Sequence, residues 1–86
     1  MHAVIVQVEI LDDAEARKGL EDVVAMVKQA PGLVAAYWVR LDDRHGTSIA
    51  VFETEEQAHA GKPPTDGSAP GVKMTSVAVG EVLASA

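Results

Sequence analysis

Apolar residues alternate with others along the first segment of the chain. Val4, Val6, Val8 and Ile10 fall on one face and Ala3, Ile5, Gln7 and Glu9 on the other. This period of two predicts a strand over Ala3–Ile10. The period then changes. Leu20, Val23, Val24 and Val27 recur at i, i+3, i+4 and i+7, with Ala16 one turn earlier, while Arg17, Lys18, Glu21, Asp22 and Lys28 take the remaining positions. That stripe predicts one amphipathic helix. Asp12 followed by Glu15 supplies a carboxylate for the free N–H groups of its first turn and a glutamate able to reach back, so the helix should begin at about Asp13. It should end near Ala30, because Pro31 restricts the residue before it and Gly32 tolerates a chain reversal.

Leu33–Leu41 is rich in Val and aromatic residues and predicts a second strand, Thr47–Glu53 a third, with Asp42-Asp43-Arg44-His45-Gly46 as the turn between them. A hairpin closed by that turn places Arg40 opposite Ser48, Trp38 opposite Ala50 and Ala36 opposite Phe52, so that each large side chain meets a small one. Thr54-Glu55-Glu56-Gln57 has the spacing of a capping box, which predicts a second helix from Glu55. Glycines and prolines crowd Gly61–Gly71, so this helix should be short and a long loop should follow, one able to fold over a cleft as a lid. Val72–Ala84 then predicts a fourth strand, with Val77, Val79 and Leu83 opposite Met74, Ala78 and Val82.

These elements make a single α+β domain over residues 1–86, in the ferredoxin-like βαββαβ order of an antiparallel sheet with both helices on one face. The other face carries apolar side chains that no helix of the chain covers. Such a patch marks an interaction surface, and a second copy related by two-fold symmetry covers it, which predicts a homodimer through the open sheet face with Tyr37 in the interface.

Composition narrows the chemistry. The 86 residues include 7 Lys and Arg against 13 Asp and Glu, for a net charge of −6, and no basic cluster suited to a phosphate backbone. Nucleic acid is therefore not an expected partner. Hydrophobic residues make up 48%, yet no apolar run approaches the roughly 20 residues of a membrane helix, so the expectation is a soluble, cytoplasmic protein. Cysteine is absent, which excludes disulfides, thiolate metal ligands and cysteine nucleophiles. Glu55 and His59 share one helical turn but form only two ligands, so neither a metal nor another cofactor is expected.

Four residues could line a cleft between sheet and helices: Trp38, Phe52, Arg40 and Ser48 combine aromatic surface with a few polar groups, as ligand sites do. Core packing explains the two aromatics as well. An inward Arg40 needs an anionic partner, either Glu9 or an acidic group of a ligand, whereas at the strand end it reaches solvent. His59 is a candidate general base because its reference pKa near 6.5 suits proton removal at neutral pH, and an exposed pairing with Glu55 is the alternative.

Pro31-Gly32 leading into Tyr37-Trp38, and the run Ile49-Ala50-Val51-Phe52-Glu53-Thr54-Glu55-Glu56-Gln57-Ala58-His59, resemble the dimeric α+β barrel superfamily. The likeness is to its small members, the antibiotic biosynthesis monooxygenases and stress-responsive barrel proteins, and it spans nearly the whole chain. It implies a homodimeric barrel that holds an aromatic molecule between sheet and helices, with oxygenase chemistry that uses no metal or flavin in some members. Phe52 stands where such oxygenases commonly have a Trp, and Ser48 where they carry an Asn. The resemblance equally admits a non-catalytic dimeric module of the same fold.

Overall fold

The computed structural model describes residues 1–63, 68, 69 and 71–86. Its elements follow in the order β1 (His2–Ile10), α1 (Asp13–Val27), β2 (Leu33–Arg40), β3 (His45–Phe52), α2 (Glu55–Gly61), β4 (Ser68–Ala69) and β5 (Val72–Glu81). The strands form one antiparallel sheet in the order β2-β3-β1-β5-β4. This is an α+β fold compatible with a ferredoxin-like arrangement. The two-residue β4 pairs with β5 inside what the sequence predicts as loop. Pro64, Thr65, Asp66, Gly67 and Pro70 lie outside the described residues, and so does the expectation of a lid.

Both helices start where their polar residues dictate. Asp12 accepts a hydrogen bond from the Glu15 N–H at 3.0 Å. Thr54 and Gln57 form the complete capping box, each side chain bonded to the other's backbone at 3.2 Å. Helix α1 stops at Val27, three residues before the predicted end, and Lys28–Ala30 forms a turn in which Gln29 and Ala30 donate to Met26 and Val27. Gly32 then takes φ +78°, the left-handed conformation that the chain reversal requires.

The hairpin register differs from the predicted one by two residues. Arg40 faces Gly46, Trp38 faces Ser48 and Ala36 faces Ala50. The cause is the turn. Asp42 accepts hydrogen bonds from the Arg44 and His45 N–H groups at 2.8 and 2.9 Å and contacts the His45 ring Nδ1 at 2.9 Å. The Leu41 N–H then donates to the His45 carbonyl at 2.8 Å, so β3 starts at His45 instead of Thr47. The Arg44 N–H, followed by the His45 ring, holds the Asp42 carboxyl below the ordinary aspartate range. A two-residue shift leaves the side chains from Ala35 to Arg40 and from Thr47 to Phe52 on their predicted faces, which is why those face assignments survive the correction. A register irregularity between Leu33 and Ala35 brings Leu33 opposite Phe52.

Strand β5 departs further. It ends at Glu81, three residues before the predicted end, and Leu83 is 89% exposed beyond it. A second irregularity opposite Gln7 and Val8 leaves Thr75 without a register counterpart on β1, although its hydroxyl donates to the Gln7 carbonyl at 3.1 Å. The extra residue reverses the alternation, so Met74 joins Val77 and Val79 on one face instead of opposing them.

The core forms between the helices and one face of the sheet. Val4, Val6, Phe52 and Ala58 are buried, with Val8, Leu33, Ala50, Met74, Val77 and Val79 packed around them. Ala58 of α2 is completely enclosed. Helix α1 half-buries Ala16, Val23, Val24 and Val27 of the predicted stripe, leaves its Leu20 exposed, and buries no residue completely. Val24 and Val27 border one hollow together with Ala36 and Trp38 of β2. Ala36 belongs to the same cross-strand row as Ala50, Val4 and Val79, so α1 and α2 cover the same side of the sheet. No described helix is long and apolar enough to cross a membrane.

The opposite side is covered by no described helix, although Ala3 on it is buried among its neighbours. Cross-strand pairing gives it three rows: Ala35, Val51, Ala3 and Gly80; then Tyr37, Ile49, Ile5 and Ala78; then Val39, Thr47, Gln7 and Ser76. Tyr37 is 64% exposed, and Ile5, Val39 and Ile49 are exposed as well.

Candidate functional site

Trp38, Arg40, Ser48 and Phe52 all belong to the helix-side face. Trp38 and Ser48 are direct cross-strand partners, and Arg40 lies one row beyond them. The structure does not gather them into one pocket. Phe52 is 2% exposed and forms the centre of the core. Its ring borders a hollow of about 130 Å³ with Ala30, Pro31, Gln57, Ala60 and Gly61. Trp38 borders a separate hollow of about 160 Å³ between α1 and β2, lined by Val24, Val27, Lys28, Leu33 and Ala36.

Arg40 is half-exposed and forms an ion pair with Asp13, the first residue of α1, which also receives the Arg17 Nε at 2.9 Å. The predicted intramolecular partner, Glu9, is excluded by strand alternation. Glu9 pairs with His45 and Lys73 on the bare side of the sheet, whereas Arg40 shares the face that α1 covers. The charge of Arg40 thus has an anionic neighbour within the chain, and the pair ties the edge strand to the start of α1.

His59 is exposed on α2 and borders neither hollow. The expected alternative pairing also changes. Glu55 is engaged by His2, with Nε2 to Oε2 at 3.1 Å, because β1 passes beside the first turn of α2. Among the described residues no group of three or more His, Asp or Glu side chains gathers as a metal site.

Sequence reasoning missed Lys28, Leu33 and Ala36 as neighbours of Trp38. The apolar stripe of α1 marks Val24 and Val27 as buried, but which strand they meet depends on how the helix lies across the sheet. The hollow is therefore a tertiary feature. Its lining offers an indole, aliphatic surface and, from Lys28, one cationic side chain. Such a lining can hold an apolar ring and attract an acidic substituent.

Comparison with known proteins gives no match, whether against family models, curated proteins or solved structures. The functional reading therefore rests on the residues and their geometry.

Proposed function

We propose that this protein is a homodimeric α+β barrel that holds a hydrophobic or aromatic small molecule in the hollow beside Trp38. The observation that carries the binding reading is the half-buried indole in an apolar recess of about 160 Å³. An engineered apolar cavity of roughly 150 Å³ admits benzene, so one aromatic ring is the scale of ligand that fits. The lining favours retention over turnover. It contains no histidine or carboxylate to take a proton, and His59, the candidate base, is on the solvent side of α2.

The dimer is supported by the bare apolar face of the sheet. Sedimentation at micromolar concentration should give twice the 9.0 kDa chain mass. A single 9.0 kDa species would overturn the dimer.

Trp38 is the only tryptophan, so its emission reports the recess alone. Titration with phenol, benzoate and a two-ring phenol should quench it saturably. The Ala36→Leu variant, which fills the recess, should lose that response. Absence of saturable quenching up to millimolar ligand, or quenching unchanged in Ala36→Leu, would remove the binding function and leave a non-catalytic self-associating module.

A further inference from the structure

The bare sheet face is uneven in two directions, and both bear on how a second copy covers it. Across the strands, the outer strand β2 presents Ala35, Tyr37 and Val39, while on the other side β5, which β4 borders at Val72 and Lys73, presents Ser76, Ala78 and Gly80. The inner strands are alike, with Thr47, Ile49 and Val51 on β3 and Ala3, Ile5 and Gln7 on β1. One edge is therefore raised and the other recessed. A Cβ built on Gly80 meets no atom of the described residues within 4 Å, so the space above Gly80 on β5 is open among them.

Along the strands, the polarity is graded. The row of Ala35, Val51, Ala3 and Gly80 is wholly apolar, the row containing Thr47, Gln7 and Ser76 is polar, and the next row carries His45, Glu9 and Lys73.

We infer that a second copy packs with its two-fold axis between the sheets and parallel to the strands, placing Tyr37 of each subunit over Ala78 at the recessed β5 edge of the other. This rests on the homodimer proposed above and selects among its arrangements. With this axis β2 lies over β5 of the partner and β3 over β1, so raised meets recessed and the sheets keep an even separation of about 10 Å. Rows of like polarity also coincide, which sets Glu9 and Lys73 against the polar end of the partner face. An axis across the strands does neither. It stacks Tyr37 on its own copy, leaves a void between the two β5 edges, and lays the row of Thr47, Gln7 and Ser76 on the apolar row of the partner, where polar groups without partners are costly.

The area suffices. Four strands about 4.8 Å apart and about nine residues long at 3.3 Å per residue project roughly 570 Å². Side-chain relief raises the accessible area toward the ~800 Å² per partner of a standard interface.

The test is the dimer dissociation constant, measured by sedimentation for the full chain. Ala78 is exposed, so Ala78→Leu leaves the subunit fold intact, which the circular dichroism spectrum of the variant checks. In the inferred arrangement the added bulk meets Tyr37 of the partner and weakens the dimer at least tenfold. Adding Tyr37→Ala to that variant restores much of the loss. If the wild-type chain is monomeric, the homodimer itself falls. If it is dimeric but Ala78→Leu tightens or does not change association, the β2-over-β5 pairing is overturned while the homodimer stands. Weakening that Tyr37→Ala fails to relieve overturns Tyr37 as the occupant of the β5 edge.

Discussion

Replacing Phe52 with alanine should lower the unfolding free energy by about 3–5 kcal/mol, the range for a large aromatic removed from a packed core. The ring is the largest fully enclosed side chain and contacts the core of Val4, Val6 and Ala58. Its surroundings are rigid. Strand β1 supplies the two valines, and α2 comes so close that a Cβ on Gly61 would stand 2.7 Å from the ring Cζ. Little can collapse into the space, so the cavity cost adds to the lost transfer energy. A chain of 86 residues has few such residues, and domains of this size retain only about 4–13 kcal/mol in total. Phe52→Ala should therefore be largely unfolded or unfold at very low urea, measured by circular dichroism at fixed protein concentration. A loss below about 1 kcal/mol would contradict the assignment of Phe52 to the core.

Gly71→Ala should cost roughly 2–4 kcal/mol, and more than Gly32→Ala. Both glycines adopt the left-handed region, with φ of +76° and +78°, which costs a side-chain-bearing residue about 1–2 kcal/mol. They differ in what the new methyl meets. At Gly71 it would stand 2.5 Å from the Asp12 carbonyl oxygen and 2.6 Å from the Ala16 nitrogen, both backbone atoms of the α1 start. The Gly71 carbonyl also accepts hydrogen bonds from the Leu11 and Asp12 N–H groups at 2.7 and 3.1 Å, so moving it disturbs the entry to α1. At Gly32 the obstacle is the end of the Gln57 side chain, which can swing away at the expense of its bond to the Thr54 backbone. Urea midpoints should rank wild type above Gly32→Ala above Gly71→Ala. The reverse order of the two variants would show that the contact between Gly71 and the α1 start is not rigid.

The candidate site was only partly legible in the chain. Period and capping residues placed Trp38, Arg40, Ser48 and Phe52 on one face, and that assignment holds because the hairpin error was an even number of residues. Their grouping into one cleft did not follow. Whether Trp38 and Phe52 share a hollow depends on where α1 and α2 rest on the sheet, and the helix stripes specify a buried face without specifying a partner strand. Arg40 illustrates the same gap. Its need for an anion was readable from charge, but the choice of Asp13 over Glu9 required knowing that α1 begins above the end of β2. The pairing of His2 with Glu55 joins positions 53 residues apart, which no local pattern reports.

Local chemistry decided the elements themselves. Alternation made β1 a strand, the stripe from Ala16 to Val27 made α1 a helix, and Asp12, Thr54 and Gln57 set the helix starts, because each of these signals acts through neighbours within a turn or two of the chain. Tertiary structure decided how β1 pairs with β3 and β5, the irregularity that turned Met74 inward, the separation of the two hollows and the ion pairs of Arg40 and Glu55. These depend on distances between segments remote in sequence, which are fixed only when the sheet closes and the helices pack against it.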